Sequence, residues 1–419
     1  MPYLPLQGGL ATTLKFFDDL ADSGGNFARY WMADWSTGIE WHEGVDNYGG
    51  IGRYNLKNAW LIDRVLERCE QRGIRVVFET LNHVRLSPGY SWGKNPFSIR
   101  NGGFLRNTWS WWTDRRMVEP SQNRLRYIVA RYAHSPSVHS WGYISEADLV
   151  GGGWGRGVER VAEYLRFMSS LDPYGHIASN HICRPRSGRN MFGRPEVEFV
   201  NSNAYAGLPE SRLPLDQPFT IRGYSEMFAS RAKPVVVGEY AGAWQGDRAW
   251  KMRRDTVSGL WAGVASDLAG VPLSWWWNFN YGESLGYVYG HVAAFMEGED
   301  LIAEDTPEKG GWANRRVTVS SRAKNARALM VGNRLRRFVY VFNFDTVCRT
   351  RSVATSCDDV ELRLSDLAEG EYEAEFWHPE RGKTDIARRF GVGADASGTL
   401  ACPSFTEGWV VKVLSLIHI

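Results

Sequence analysis

Two glutamates stand where a carboxylate can do chemistry. The run Trp141-Gly142-Tyr143-Ile144-Ser145-Glu146 closes on Glu146, and Lys233-Pro234-Val235-Val236-Val237-Gly238-Glu239 closes on Glu239. Both runs read as strands, and in a chain of alternating strands and helices the reactive residues sit where a strand ends and the next loop begins. As the fourth and seventh strands of such an array, the two runs would face each other across its mouth and let both carboxyls flank one bond. Glycoside hydrolysis needs that arrangement: one carboxyl protonated to help the leaving oxygen depart, one ionised to attack the sugar. Two neighbouring carboxyls push their own pKa values apart, so a single site can hold both forms. A lone strand-end glutamate would be read as an arginine's partner; a matched pair points to catalysis.

Other motifs carry less. Gly89-Tyr90-Ser91-Trp92-Gly93 matches the G-x-S-x-G pattern of a nucleophile elbow, which needs a strand before the serine and a helix after it. Ser87-Pro88 and Lys94-Asn95-Pro96 flank it instead. The stretch Gly151-Gly152-Gly153-Trp154-Gly155 fits neither dinucleotide nor phosphate loops, and is expected to be a loop that places Trp154 along the cleft. His42, His83, His134, His139, His176 and His181 contain no H-x-H or H-E-x-x-H spacing, so no metal and no cofactor is expected. The chain has 19 Trp. Trp35, Trp41, Trp92, Trp109, Trp111, Trp112, Trp154 and Trp244 all fall in polar loop sequence. Some are expected to pack within loops and the rest to stack on sugars, which favours an oligosaccharide or polysaccharide substrate.

The elements that would carry these residues follow from periodicity. Short β-branched or aromatic runs at 3–6, 26–32, 75–81, 140–144, 176–180, 198–203, 234–238 and 272–277 read as eight strands. Helices are expected over 56–72, 121–133, 157–171, 217–232 and 247–268, and the Gly-, Pro- and Arg-rich stretch 184–195 is too short for a full one. Eight such units predict an α/β fold, a (β/α)8 TIM barrel over 1–302. A Pro- and Gly-containing linker follows at 303–311. Short strands at 316–320, 327–331, 337–342, 360–364, 371–377 and 409–413 then predict a small all-β sandwich over 312–415. In it, Trp377 and Trp409 could bind sugar but are expected to pack against the barrel, because each sits within an apolar strand.

Composition narrows the partners. The chain of 419 residues carries 49 Lys plus Arg against 47 Asp plus Glu, a formal charge of +2, too balanced for affinity through phosphate neutralisation, so nucleic acid is not expected. No apolar run reaches the roughly 18 residues that span a bilayer, and the start at Met1 lacks a basic and apolar signal. Five cysteines without a C-x-x-C pair indicate thiols, although Cys348 and Cys357 could close a hairpin.

Taken together, these pieces resemble the retaining β-glycosidase clan built on (β/α)8 barrels, and within it glycoside hydrolase family five, the cellulase and β-mannanase family. The resemblance runs from residue 3 to about 298. It rests on Asn26-Phe27-Ala28-Arg29-Tyr30-Trp31-Met32, Leu81-Asn82-His83, Arg131-Tyr132 with the run to Glu146, Asn203-Ala204-Tyr205, the run to Glu239, and Ser274-Trp275-Trp276-Trp277. It implies that Glu146 is the acid/base and Glu239 the nucleophile. It further implies that Arg29 holds Glu239 ionised, that Tyr205 hydrogen-bonds it, and that His83 contacts the sugar at the cleavage subsite. Trp277, taken as nearest the strand end, would form the floor under that sugar. Ser145 stands where the clan has Asn beside the 2-hydroxyl, and Asn203 where the family has His. These departures leave a catalytically inactive glycan-binding barrel as the alternative, with a metal-dependent or esterase-type hydrolase behind it. The resemblance also implies a secreted or periplasmic setting. The end of the chain, 414–419, resembles translated adapter sequence, and 416–419 is expected to be a non-native tail.

Overall fold

The computed structural model describes residues 9–44, 48–150, 154–206, 216–322, 324–349 and 355–416. The expected first strand at 3–6, the glycines 151–153 and the last residues 417–419 lie outside them. The chain divides into two compact units, Met1–Asn203 and Ala204–Ile419.

The first unit is built on a parallel sheet. Strands β1 (Phe27–Trp31), β2 (Arg75–Glu79), β3 (Val138–Gly142) and β4 (Ile177–Ser179) pair in that order. Ala28 stands opposite Val76, Phe78 opposite Trp141, and Trp141 opposite Ala178. Nearly every position of β1 and β2 is buried, the pattern of strands covered on both faces. That is why these runs read as continuous apolar or aromatic segments in the sequence. Beyond β4, Ile182 N donates to Asn201 O and Asn203 N to Ile182 O, which lays the start of β5 (Val200–Ala204) alongside in parallel.

Helices make the crossovers. After α1 (Gly9–Asp22), which the sequence reading did not anticipate, α2 (Leu56–Gln71) connects β1 to β2. Asn55 caps it by accepting from Asn58 N, and it buries the stripe Leu61, Ile62, Val65, Leu66 and Cys69. Its stop is Gly73 at φ 68°, a left-handed residue that a side chain would resist. The long connection to β3 holds a short α3 (Ser110–Thr113) and α4 (Val118–Tyr132); α5 (Trp154–Leu171) leads into β4. Only the four-residue α6 (Arg189–Phe192) occupies the stretch expected to be too short for a full helix.

In the second unit, α7 (Gln217–Phe228) precedes β6 (Val235–Tyr240), and α8 (Ala249–Val264) follows. The expected strand at 272–277 is corrected. Leu273 N donates to Val237 O and Trp275 N to Tyr240 O, but the ladder stops there and Trp277 opens α9 (Trp277–Gly282). Trp277 therefore does not stand at a strand end: the chain turns before it, and it opens a helix. Helices α10 (Gly286–Met296) and α11 (Leu301–Glu304) follow.

The rest is antiparallel. Strands β7 (Ala313–Arg315), β8 (Val317–Ser320), β9 (Ala326–Gly332), β10 (Arg336–Asn343), β11 (Glu361–Ser365), β12 (Gly370–His378), β13 (Gly382–Val392), β14 (Ser397–Ala401) and β15 (Gly408–Ser415) form two sheets. Their orders are β13-β12-β15-β10-β9-β7 and β14-β11-β8. Val339, Val341, Phe376 and Val411 from one sheet and Leu362, Leu364 and Leu400 from the other share a core, as a sandwich requires. Trp409 belongs to this core, whereas Trp377, also buried, meets Phe295 of α10 edge to face. The chain end pairs further than expected: Leu414 stands opposite Arg336 and Ser415 opposite Tyr372. All five cysteines are free, so Cys348 and Cys357 do not bridge. Among the described residues, no helix is long and apolar enough to cross a membrane.

Candidate active site

Glu146 follows the end of β3 and is almost wholly buried. Its backbone is left-handed, with φ 53° and ψ 45°, a conformation that costs a side-chain-bearing residue about 1 kcal/mol or more and tends to mark functional positions. The neighbouring segment holds it there. The Asn180 side chain accepts from Ile144 N at 3.1 Å and donates to Ile144 O at 3.0 Å, while Ser145 N donates to Leu81 O and Ala147 N to His181 O.

Both carboxylate oxygens of Glu146 are engaged. Asn203 Nδ2 donates to Oε1 at 2.6 Å, and His83 Nδ1 lies 2.9 Å from Oε2. Burial alone would raise the Glu146 pKa. The charge and hydrogen bond of His83, with the charge of Arg29, outweigh burial and hold the carboxyl well below the usual carboxylate range. His83 therefore has Glu146 as a partner, beyond the sugar contact the resemblance implied.

Arg29, in the middle of β1, is fully buried, with its guanidinium carbon 5.1 Å from the centre of the Trp31 ring. Trp31 in turn meets His83 edge to face. Ser145 Oγ lies 3.2 Å from His181 Nδ1, so its hydroxyl is engaged inside the protein. Two residues past Glu146, Asp148 accepts from the backbone N–H groups of Cys183 and Arg184. Burial still pushes its carboxyl up to about 6.

In the second unit, Glu239 sits in β6, buried, with Tyr205 Oη donating to its Oε2 at 2.6 Å. Gln217, the first residue of α7, donates to Ala204 O and accepts from Gly242 N, both at 3.0 Å. One side chain thus ties the residue before Tyr205 to the turn after Glu239. That turn carries Ala241 at φ 95° and Gly242 at φ 61°. A Cβ on Gly242 would come 3.1 Å from Asp255 Oδ2. Trp277 is half-buried at the head of α9, and Trp276 donates its indole N–H to Ala243 O.

The loop tryptophans sort cleanly. Trp41, Trp92, Trp111 and Trp112 are buried, whereas Trp109 and Trp244 are about half exposed. Trp154 is half-buried and donates to Ser187 O. Ser91 opens a single 3-10 turn, Ser91–Lys94, and not the helix of a nucleophile elbow. Among the described residues, no group of three or more His, Cys, Asp or Glu is placed to hold a metal ion.

The sequence reading missed Asn180, His181 and Gln217 as site residues. A signal existed for the first two: Ser179-Asn180-His181 puts three polar residues at the end of a strand whose burial calls for apolar ones. Gln217 stands before Pro218 at a helix start, where a polar residue is unexceptional, so nothing singled it out.

No protein-family model matches the chain, and no curated protein sequence matches it. Solved structures do. A structure described as a glycoside hydrolase aligns over 98% of this chain and 90% of its own length, with a TM-score of 0.63 at 11% identity. A family 5 glycoside hydrolase from Bacteroides vulgatus aligns over 97% of this chain and 86% of its own, with a TM-score of 0.61 at 12% identity. The chain has the fold of these proteins. At such identity the likeness carries fold and not function.

Proposed function

We propose that the chain is a retaining glycoside hydrolase that cleaves β-linked oligosaccharides or polysaccharides by double displacement. In this reading, residues 1–302 form a (β/α)8 catalytic barrel, 303–311 a linker and 312–415 an accessory β-sandwich, with a secreted or periplasmic setting. The observation that carries it is the provision made for two buried glutamates: Glu146 with donors on both oxygens, and Glu239 with the Tyr205 hydroxyl on one. The likeness in fold to solved glycoside hydrolases supports it.

Glu239 attacks the anomeric carbon as the glycosidic bond breaks, and Glu146 gives its proton to the departing oxygen. A covalent glycosyl-enzyme results. Glu146, now ionised, takes a proton from water, and the water oxygen displaces Glu239 with overall retention. Tyr205 stabilises the Glu239 carboxylate. Arg29, His83, Ser145, Asn203 and Trp154 surround the substrate, and Trp277 packs against the sugar at the cleavage subsite.

The test is sugar release from a panel of β-glucans, mannans, xylans and aryl β-glycosides by the wild type, Glu239→Ala and Glu146→Ala. Release abolished by Glu239→Ala, with product of retained anomeric configuration by NMR, is the expected result. One observation favours a second reading, a glycan-binding barrel without turnover. Glu146 is held ionised by His83, whereas the first step requires a proton on it. Binding of one glycan with no release across the panel is the outcome that would select this second reading.

A further inference from the structure

His181 occupies the centre of a buried polar chain that ends on Glu146. Its ring is fully buried. Nδ1 is 3.2 Å from Ser145 Oγ. Asn203 is the neighbouring amide that acts on the ring, and Asn203 in turn donates through Nδ2 to Glu146 Oε1 at 2.6 Å. With Nδ2 committed, the Asn203 carbonyl oxygen is left to face the ring. His181 Nε2 and Asn203 Oδ1 are two buried polar atoms left without a hydrogen bond of their own among the described residues; one can donate and the other accept, so each is the other's natural complement. The residue just before His181 is Asn180, whose amide clamps Ile144 on both its N–H and its carbonyl. The two adjacent residues thus control the backbone leading to Glu146 and the amide that touches its carboxylate.

We infer that Asn180 and His181 are positioning residues for Glu146, with His181 working as a neutral Nε2–H tautomer that fixes which end of the Asn203 amide faces the carboxylate. This rests on reading Glu146 as the acid/base. The tautomer follows from the partners. A ring that donates from Nε2 to the Asn203 carbonyl must accept at Nδ1, so the Ser145 hydroxyl gives its hydrogen to His181. Ser145 then offers a substrate only lone pairs, and its partner there is a sugar hydroxyl acting as donor. The surroundings keep the ring neutral. Burial and the nearby Arg29 charge push its pKa down, His83 adds to that, and Glu146 and Asn203 pull the other way without prevailing. Were the ring to become protonated, Nδ1 would carry a hydrogen of its own and the Ser145 contact would have to reverse.

Two measurements test this. The first needs no turnover: 15N NMR of histidine-labelled wild type between pH 5 and 8. A His181 ring that stays neutral with its hydrogen on Nε2 is expected; a ring titrating near 6.5, or carrying its hydrogen on Nδ1, overturns the inference. The second compares His181→Phe, His181→Gln and Glu146→Ala on a 2,4-dinitrophenyl β-glycoside, which needs little acid help, and a methylumbelliferyl one, which needs more. His181→Phe is expected to lose roughly 10- to 100-fold more kcat on the poorer leaving group with KM little changed. It should follow the trend of Glu146→Ala, with partial recovery in His181→Gln, whose amide can still donate and accept. An equal loss on both substrates, or none, while Glu146→Ala keeps its leaving-group dependence, overturns the inference and leaves the glycosidase reading intact. Absence of turnover in the wild type overturns that reading instead, and the NMR result alone then decides the role of His181.

Discussion

Asn203 donates its side-chain N–H to Oε1 of Glu146 at 2.6 Å, from a position at the end of β5 where it is completely buried. A hydrogen bond to an ionised group inside a protein contributes about 1.5–3 kcal/mol, and this one favours the charged form of the proposed acid/base. Asn203→Ala is therefore expected to raise the Glu146 pKa by about one to two pH units. In the proposed mechanism Glu146 must be protonated to act first, so the limb of kcat/KM at higher pH should move upward by that amount. The measurement is a pH profile on an aryl β-glycoside, and a limb that does not move would remove Asn203 from control of Glu146.

Tyr205 stands in the same relation to Glu239, through a single hydroxyl at 2.6 Å. Tyr205→Phe keeps the ring and its packing and deletes only the donor. Removing one well-placed donor from a reacting group typically costs roughly 100-fold in kcat. The expected outcome is a loss of that order with KM nearly unchanged, since in the proposed mechanism the hydroxyl serves the nucleophile and not the bound sugar. A variant whose defect lies wholly in KM would assign Tyr205 to substrate binding.

Asp148 links the site to stability. Its carboxyl is raised from an ordinary 3.8 to about 6, by burial first and by the charge of Glu146, against the pull of two backbone N–H groups. The folded protein thus holds this proton more tightly than the unfolded chain does. The resulting stabilisation is complete below about pH 3.8 and is lost as pH rises through 6, a difference of about 3 kcal/mol at its limit. Asp148→Asn cannot titrate. Between pH 5 and pH 7.5 its unfolding free energy, from urea melts, should fall by about 1 kcal/mol less than that of the wild type. Asp255, also raised to about 6 by burial, keeps its own contribution in both proteins.

The sequence was most informative where both faces of an element are buried. Strands β1, β2 and β6 are mostly apolar or aromatic because packing leaves them little exposed face; β6 carries Glu239, and Glu146 follows the end of β3. Legibility failed where tertiary contacts override local pattern. The stretch 272–277 looks like a strand, yet three backbone hydrogen bonds with β6, at Leu273 and Trp275, are all the ladder it makes before α9 begins. Strand β13 went unread because Lys383, Asp385, Arg388 and Arg389 give it a polar composition; it pairs with β12 along one side at the edge of its sheet, where charged residues are tolerated and discourage further pairing. At the candidate site, the two buried glutamates were visible from their place at strand ends. The residues around them, Asn180, His181 and Gln217, were not, because their side-chain contacts are with residues 13 to 36 positions away.

Exposure separates the tryptophans that hold the fold from those free to meet a ligand. Trp409 is buried among the strands of the sandwich, edge to face with Phe376 and His378, and donates its indole N–H to Pro403 O at 3.1 Å. Trp409→Ala would leave a large cavity and an unpaired carbonyl, and should destabilise the protein by about 3–5 kcal/mol while leaving glycan affinity unchanged once folded. Trp109, in the loop before α4, is 48% exposed and has little packing to lose. Trp109→Ala should shift stability by less than about 0.5 kcal/mol. A stacked ring contributes about 0.5–1.5 kcal/mol, so loss of a sugar platform would weaken oligosaccharide binding roughly three- to tenfold. Thermal melts and calorimetric titration with cello- and manno-oligosaccharides on both variants make the comparison. A Trp109→Ala protein with normal affinity for every oligosaccharide tried, beside a wild type that binds one of them, would show that this exposed indole is not a sugar platform.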